Sequence, residues 1–213
     1  MRIYTKKGDD GTTGLFFGGR VKKSSARIEL VGAVDEAQAA LGVARAEAEP
    51  GSELDQLLVQ LERDLYVLMA DVATAPANRR KLQPGTTLVT PGMVSSLEEQ
   101  IDRLSGRFEP LKDFVVPGQD RRSAALDRAR TVVRRAERRA VGLAGGSPVG
   151  EYLNRLSDLV WTMARWQEGD AHLAARRVPR RSAARATGKP GADAKSDAKS
   201  DVTSDARPTR SPS

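Results

Sequence analysis

Leu54-Asp-Gln-Leu-Leu-Val-Gln-Leu-Glu-Arg-Asp-Leu-Tyr-Val-Leu-Met-Ala-Asp-Val72 decides the fold class. Leu54, Leu57, Leu58, Leu61, Leu65, Leu68, Met69 and Val72 recur at helical steps, which places them on one face of an α-helix. Pro50-Gly51 breaks the chain just before it. Upstream, Ile28, Val31, Val34, Ala37, Leu41 and Ala44 repeat the spacing and predict a first helix. Downstream, Thr90-Pro91 reads as an N-cap followed by proline at the first helical position; the helix it starts carries Val94, Leu97, Ile101 and Leu104 and stops near Gly106. A fourth helix is predicted from about Arg121 to Leu143, ending at Gly145-Gly146. Ser147-Pro148 opens a fifth, with Leu153, Leu156, Val160, Met163 and Ala164 inward. Pro76–Val89 and Phe108–Gln119 are irregular, and β-like runs such as Phe114-Val-Val116 are few and short. The expectation is an all-α chain whose residues 26–175 form a five-helix up-and-down bundle.

Two flanks differ from the bundle. Residues 1–25 form a glycine-rich arm dense in turn formers, and residues 176–213 form a basic, low-complexity tail. After Val178 the tail's only large apolar residue is Val202, so it is expected to be disordered. It reads as a solubilising tail or as a basic docking segment. It holds ten Lys and Arg against four Asp, which is +6 of the chain's net +7. The remaining charge is nearly balanced, so the body does not read as a nucleic-acid binder.

The 213 residues suit one domain, or one domain with a tail. With no cysteine and a single histidine, His172, the chain has no disulfide scaffold, thiol nucleophile, thiolate zinc site or multi-histidine metal site. No apolar run reaches membrane-spanning length, and Met1-Arg2-Ile3-Tyr4 lacks a signal-peptide core, so a soluble cytoplasmic protein is expected.

Three segments carry candidate chemistry. The arm, Thr5-Lys-Lys-Gly-Asp-Asp-Gly-Thr-Thr-Gly14 with Lys22 and Lys23, reads either as a phosphate cradle or as an ordinary turn-rich arm. It is not a Walker A loop, because no Gly-Lys-Ser/Thr follows the glycines. On the fourth helix, Arg130, Arg134 and Glu137 lie within about 60° of one another beside the apolar stripe, and Arg128, Arg135 and Arg139 lie on its other flank. They read as forks for phosphate or as a solvated helix with local ion pairs. On the fifth helix Asn154, Arg155 and Asp158 sit beside apolar anchors, and Asn154 is equally readable as an exposed or capping residue. Asp35-Glu36 on the first helix is exposed or pairs with an arginine elsewhere; Trp161 and Trp166 read as core or interface.

In order along the chain, Tyr4–Gly14, Gly19-Arg-Val-Lys-Lys23, Glu29 with Val31-Gly-Ala-Val-Asp-Glu36, Phe114-Val-Val-Pro-Gly118, Ala129–Arg138 and Tyr152-Leu-Asn-Arg-Leu-Ser-Asp158 together resemble the PduO-type ATP:cob(I)alamin adenosyltransferases. The resemblance covers roughly residues 3–170. It implies a homotrimer of five-helix bundles with each active site between two subunits. It implies ATP contacts at Thr5, Lys6, Lys7, Gly8, Thr13, Gly14 and Lys23, at Arg134, Arg135, Ala136, Glu137 and Arg138, and at Asn154. Arg134, Glu137 and Phe114 are implied to be catalytic, Phe114 as the aromatic that displaces the corrinoid's lower ligand. Arg130 is implied to pair with Asp35 across the subunit interface. Mg²⁺ is implied mainly through the ATP phosphates, with no protein metal site. A reductase and a cobalamin-dependent acceptor enzyme are the implied protein partners, with no nucleic acid and no membrane. The chain departs from the family pattern at Asp127, where histidine is frequent, at Gln119, and at Ala37-Gln38.

The implied reaction suits the residue inventory. Cob(I)alamin is itself the nucleophile, so the protein supplies positioning, charge stabilisation and exclusion of water rather than a nucleophile or base. The alternatives are a carrier or regulator that binds ATP or cobalamin without turnover, and a helical protein that binds nucleic acid through its tail.

Overall fold

The computed structural model describes residues 4–143, 146–171 and 173–175. The expected disorder of 176–213 and the helix end at Gly145 lie outside the described residues, as does His172.

Five long helices form the bundle within the described residues: α1 (Ala26–Ala46), α2 (Glu53–Val72), α3 (Pro91–Ser105), α4 (Arg121–Ala140) and α5 (Val149–Glu168). Capping side chains explain three starts. Ser52 accepts from Asp55 N–H, Thr90 from Met93 N–H, and Asp120 from the N–H groups of Arg122 and Ser123. α4 stops at Ala140, short of the expected Leu143, and Gly142 takes φ +77° just beyond it. Of the irregular stretches, Pro76–Lys81 is a short 3₁₀ helix. The β-like Phe114–Val116 run pairs with the segment after α5, with Val116 N–H donating to Leu173 O at 2.8 Å.

α1 packs on α2 and α4, α4 packs on α5, and α5 packs on α3. Ion pairs mark the directions: Arg45 meets Asp55 at 2.7 Å, Arg139 meets Glu29 at 3.7 Å, and Arg103 meets Glu53. Each such exposed pair is worth at most about 1 kcal/mol, so they report register more than they create it. One end of the bundle therefore gathers the start of α1, the end of α2, the end of α4 and the start of α5.

The core is leucine-rich, with Leu30, Leu41, Leu58, Leu65, Leu68 and Leu153 fully buried. Each contributes about 1.5–3 kcal/mol by burial. Between α1 and α4 the buried residues are largely alanines, among them Ala33, Ala37, Ala129 and Ala136, which lets the two helices pack closely. The α1 stripe is the expected one at Val34, Ala37, Leu41 and Ala44 and differs only in its first turns. Leu30 and Ala33 are buried, Val31 sits at the rim, and Ile28 lies on the far side of the wheel. Of the two residues that depart from the family pattern here, Ala37 is buried in this core and Gln38 ties α1 to α2 by donating to Glu62 O at 2.8 Å.

One polar pair is built into the core. Tyr152 is fully buried and donates to Asp64 Oδ2 at 2.9 Å. Burial raises the Asp64 carboxyl above its ordinary value, and the hydrogen bonds from Tyr152 and Gln60 hold it down. Tyr152→Phe should cost about 1–3 kcal/mol at neutral pH. A carboxyl raised in the folded state favours folding while protonated and opposes it once ionised, so the deficit relative to the parent should shrink as pH falls through the Asp64 titration. Urea unfolding at neutral and mildly acidic pH checks this.

The arm is more ordered than its turn-rich composition predicts. β1 (Thr12–Gly14) and β2 (Arg20–Lys22) form an antiparallel hairpin. Gly18 and Gly19, both at φ +96°, close it. The tip is pinned to the end of α2: Phe16 N–H donates to Ala73 O at 3.0 Å, and Asn78 Nδ2 donates to Phe17 O at 3.2 Å.

Candidate functional site

The arm's loop before β1 is held by its own polar side chains. Asp10 Oδ1 accepts from the N–H (2.9 Å) and hydroxyl (2.8 Å) of Thr12. Those bonds, the backbone one foremost, hold the Asp10 carboxyl below its usual value. Arg20 Nε donates to Thr12 Oγ1 at 3.0 Å, and its guanidinium also reaches Lys7 O. Arg20 and Asp10 were not singled out by the sequence as site residues, although both lie in motifs that resemble the family. Thr5, Lys6, Lys7 and Gly14 are exposed and Thr13 is half-buried. Lys6 adopts φ +57°, which turns the chain there.

Lys23 folds back over Gly8. A methyl group at Gly8 would stand 3.2 Å from Lys23 Cε and Nζ and 3.0 Å from Thr12 O. The absence of a side chain at Gly8 therefore sets where the ammonium rests. Gly8→Ala should displace it and weaken phosphate-ligand binding about tenfold, the scale of one charge-assisted contact. Calorimetry with ATP on the variant and the parent checks this.

The second set lies on α4 and α5. Arg134 Nη1 donates to Glu137 Oε2 at 2.6 Å, and Asn154 Nδ2 donates to Glu137 Oε1 at 3.0 Å. Asn154 is half-buried and hydrogen-bonded, which decides against its reading as an exposed capping residue. Glu137 also lines a cavity of about 360 Å³ between the end of α4 and the start of α5. The other candidates on α4 diverge: Arg135 pairs with Glu36 on α1, Ala136 is fully buried, and Arg138 is exposed.

Toward the other end of the bundle lies a cleft of about 630 Å³, lined by Phe114, Pro117, Asp127, Arg130, Trp161 and Arg165 among others. Phe114 is 86% exposed, an unusual position for a phenylalanine. Its segment is tied down by Ala175 N–H, which donates to Phe114 O at 2.6 Å. Beneath the cleft is a buried charge cluster. Arg165 is 2% exposed and pairs with Asp127 at 2.5 Å and with Glu168 at 3.0 Å. Asp127 thus has a partner within its own chain. The Arg165 guanidinium stands 5.8 Å from the Trp161 ring centre. Neither Trp161 nor Arg165 was recognisable in the sequence as a cleft residue.

Asp35 is exposed on α1, while Arg130 meets Asp127 of its own chain at 4.0 Å. Arg130 Nε is buried with no hydrogen-bond partner. One chain therefore brings together Arg134, Glu137 and Asn154, and separately Lys23 with Gly8. Phe114 stands with Arg130 in a different cavity, and Asp35 is not paired with Arg130.

The sequence profile of the family described as Cobalamin adenosyltransferase matches residues 3–167. The corrinoid adenosyltransferase PduO of Salmonella typhimurium is 39% identical over 178 residues, covering 82% of this chain and 52% of that protein. The chain thus spans about half the length of that relative. The corrinoid adenosyltransferase of Mycobacterium tuberculosis (strain H37Rv) is 39% identical over 178 residues, covering 81% of this chain and 91% of that one. Among solved structures, a variant PduO-type ATP:corrinoid adenosyltransferase from Lactobacillus reuteri complexed with cobalamin and ATP superposes with a TM-score of 0.71 at 28% identity, covering 82% of this chain and 97% of that one.

Proposed function

Because the chain belongs to the cobalamin adenosyltransferase family, we infer that it transfers the 5′-deoxyadenosyl group of ATP to the cobalt of cob(I)alamin, giving adenosylcobalamin and triphosphate. The observation that carries this reading is the placement of a donor-rich nucleotide end and an aromatic cleft along one flank of α4. The Co(I) electron pair attacks C5′ as the C5′–O bond breaks, and triphosphate leaves with the bonding electrons. The chain's own work is at the two ends of that displacement. Arg134, Lys23 and the arm's lysines hold and neutralise the leaving phosphates, and Glu137 keeps Arg134 in place. Phe114 occupies the lower axial side of the corrinoid and keeps water from it. Thr5, Lys6, Lys7, Gly8, Thr13, Gly14 and Asn154 complete the ATP contacts in this reading. Arg135 and Arg138 join them from the rim, Arg135 after leaving Glu36, and Ala136 contributes only its backbone.

Mg²⁺ belongs to the same reading. Among the described residues no three His, Cys, Asp or Glu side chains group so as to hold a metal ion. In this reading the cation arrives on the phosphate oxygens, where it would offset the triphosphate's charge.

The proposal includes a homotrimer with active sites between subunits. Its support is the buried Nε of Arg130, which makes no hydrogen bond and reaches Asp127 only at 4.0 Å, and the exposed carboxylate of Asp35, which a neighbouring subunit would bring together. Sedimentation analysis reads the assembly. A reductase that supplies Co(I) and an acceptor for adenosylcobalamin are the protein partners in this reading. No helix among the described residues is long and apolar enough to cross a membrane, and a cytoplasmic location is proposed with it. The domain division is kept: arm 1–25, bundle 26–175 and tail 176–213, with the family match ending before the tail.

The deciding experiment is anaerobic: purified protein, ATP, Mg²⁺ and chemically reduced cobalamin, with adenosylcobalamin followed by its absorbance. Product formed at catalytic turnover supports the reading. Tight binding of both substrates without product would instead make the protein a carrier.

A further inference from the structure

We propose that Arg155 is a positioning residue for the nucleotide site, acting only through Asn154. The proposal rests on the reading of Arg134, Glu137 and Asn154 as the ATP end of the site. Four hydrogen bonds run in one line across three helices. Arg155 Nε donates to Glu98 Oε1 on α3 at 2.8 Å, and Arg155 Nη1 donates to Asn154 Oδ1 at 2.7 Å. Asn154 Nδ2 then donates to Glu137 Oε1 at 3.0 Å, and Glu137 Oε2 accepts from Arg134 at 2.6 Å.

The chemistry of the groups fixes the polarity of this line. A guanidinium only donates and a carboxylate only accepts. An asparagine amide between them has one favourable orientation, with its oxygen toward Arg155 and its NH₂ toward Glu137. Turned over, it would set its oxygen against the Glu137 carboxylate and its NH₂ against the guanidinium, losing both bonds. Arg155 therefore locks an amide that would otherwise be free to flip, and the lock reaches Arg134 through Glu137. Glu98 and Asp158, 3.9 Å away, hold Arg155 in turn. Arg155 also lines a separate cavity of about 480 Å³ between α3 and α5, with Glu98, Ile101, Asp158 and Trp161. It does not line the cavity beside Glu137. Its influence on the nucleotide must pass through Asn154.

The test compares the parent with Arg155→Met, Arg155→Lys, Glu98→Gln, Asn154→Ala and the Asn154→Ala/Arg155→Met double variant. ATP affinity is measured by calorimetry without corrinoid, and ATP and cob(I)alamin KM values in the anaerobic assay. Arg155→Met should weaken ATP binding about five- to tenfold with the cob(I)alamin KM unchanged. Arg155→Lys, which keeps a donor but not the fork, should recover part of that loss. Glu98→Gln should move ATP affinity in the same direction by less. The double variant should be no worse than Asn154→Ala alone, because the two act as one unit. Unchanged ATP affinity in Arg155→Met, equal losses for both substrates, or additive losses in the double variant would overturn the proposal. If Arg155→Met does not fold, Arg155→Lys and Glu98→Gln decide by the same ATP readout. A parent that binds ATP but makes no adenosylcobalamin would count against the activity alone, since the calorimetric comparison does not require turnover.

Discussion

Arg165→Met should destabilise the protein by about 3–5 kcal/mol, the largest effect expected of any single substitution outside the leucine core. Arg165 is 2% exposed, and its removal leaves Glu168 without its cation and Asp127 with only the more distant Arg130 at 4.0 Å, both carboxylates being 6% exposed. The desolvation cost of these carboxylates is then no longer offset in the folded state. Urea unfolding measures the loss, and a variant as stable as the parent would show that the cluster opens to solvent. Trp161 gives a second readout, because the guanidinium that stands over its ring would be gone.

Arg134→Ala should lower ATP affinity or turnover about ten- to a hundredfold while leaving cobalamin binding intact. Arg134 is bonded to Glu137 at 2.6 Å and is 41% exposed at its side chain, so it is oriented yet open to a ligand. Its loss removes a cation from the phosphates and frees one oxygen of Glu137, which then repels the nucleotide. The separation of ends in the structure predicts the selectivity, since the Phe114 cleft is lined by Arg130 and not by Arg134. Separate titrations with ATP and with cobalamin check it. Equal effects on both ligands would mean that Arg134 does not belong to the nucleotide end.

Helix identity was legible wherever caps and large apolar residues punctuate the chain. Thr90-Pro91 marks α3 to the residue, and the leucine run marks α2. The α1 stripe was legible from Val34 onward, and only its start was misread: Ile28 is a strong apolar marker on the far face, whereas the buried Ala33 is a weak one. The hairpin was invisible because two strands of three residues, with Val21 their only apolar side chain, are too short to show an apolar alternation. In the site, Arg134 with Glu137 was readable from a three-residue step along one helix. Asn154 with Glu137 and Arg165 with Asp127 are tertiary pairs, 17 and 38 residues apart, and no local spacing announces them.

The unbroken sequence of α4 has a consequence for which nucleotides can react. Between Arg121 and Ala140 it contains neither glycine nor proline, the usual origins of a kink. Arg130, at the cleft, and Glu137, at the nucleotide end, are separated by about 10 Å of ordinary helical rise. In the proposed reaction that interval works as a fixed gauge. A polyphosphate gripped at one mark presents its ribose carbon at the other only if its length is right. A shorter chain could satisfy the same cations and still hold its carbon short of the metal. Discrimination among nucleotides would then rest on measured length rather than on strength of grip.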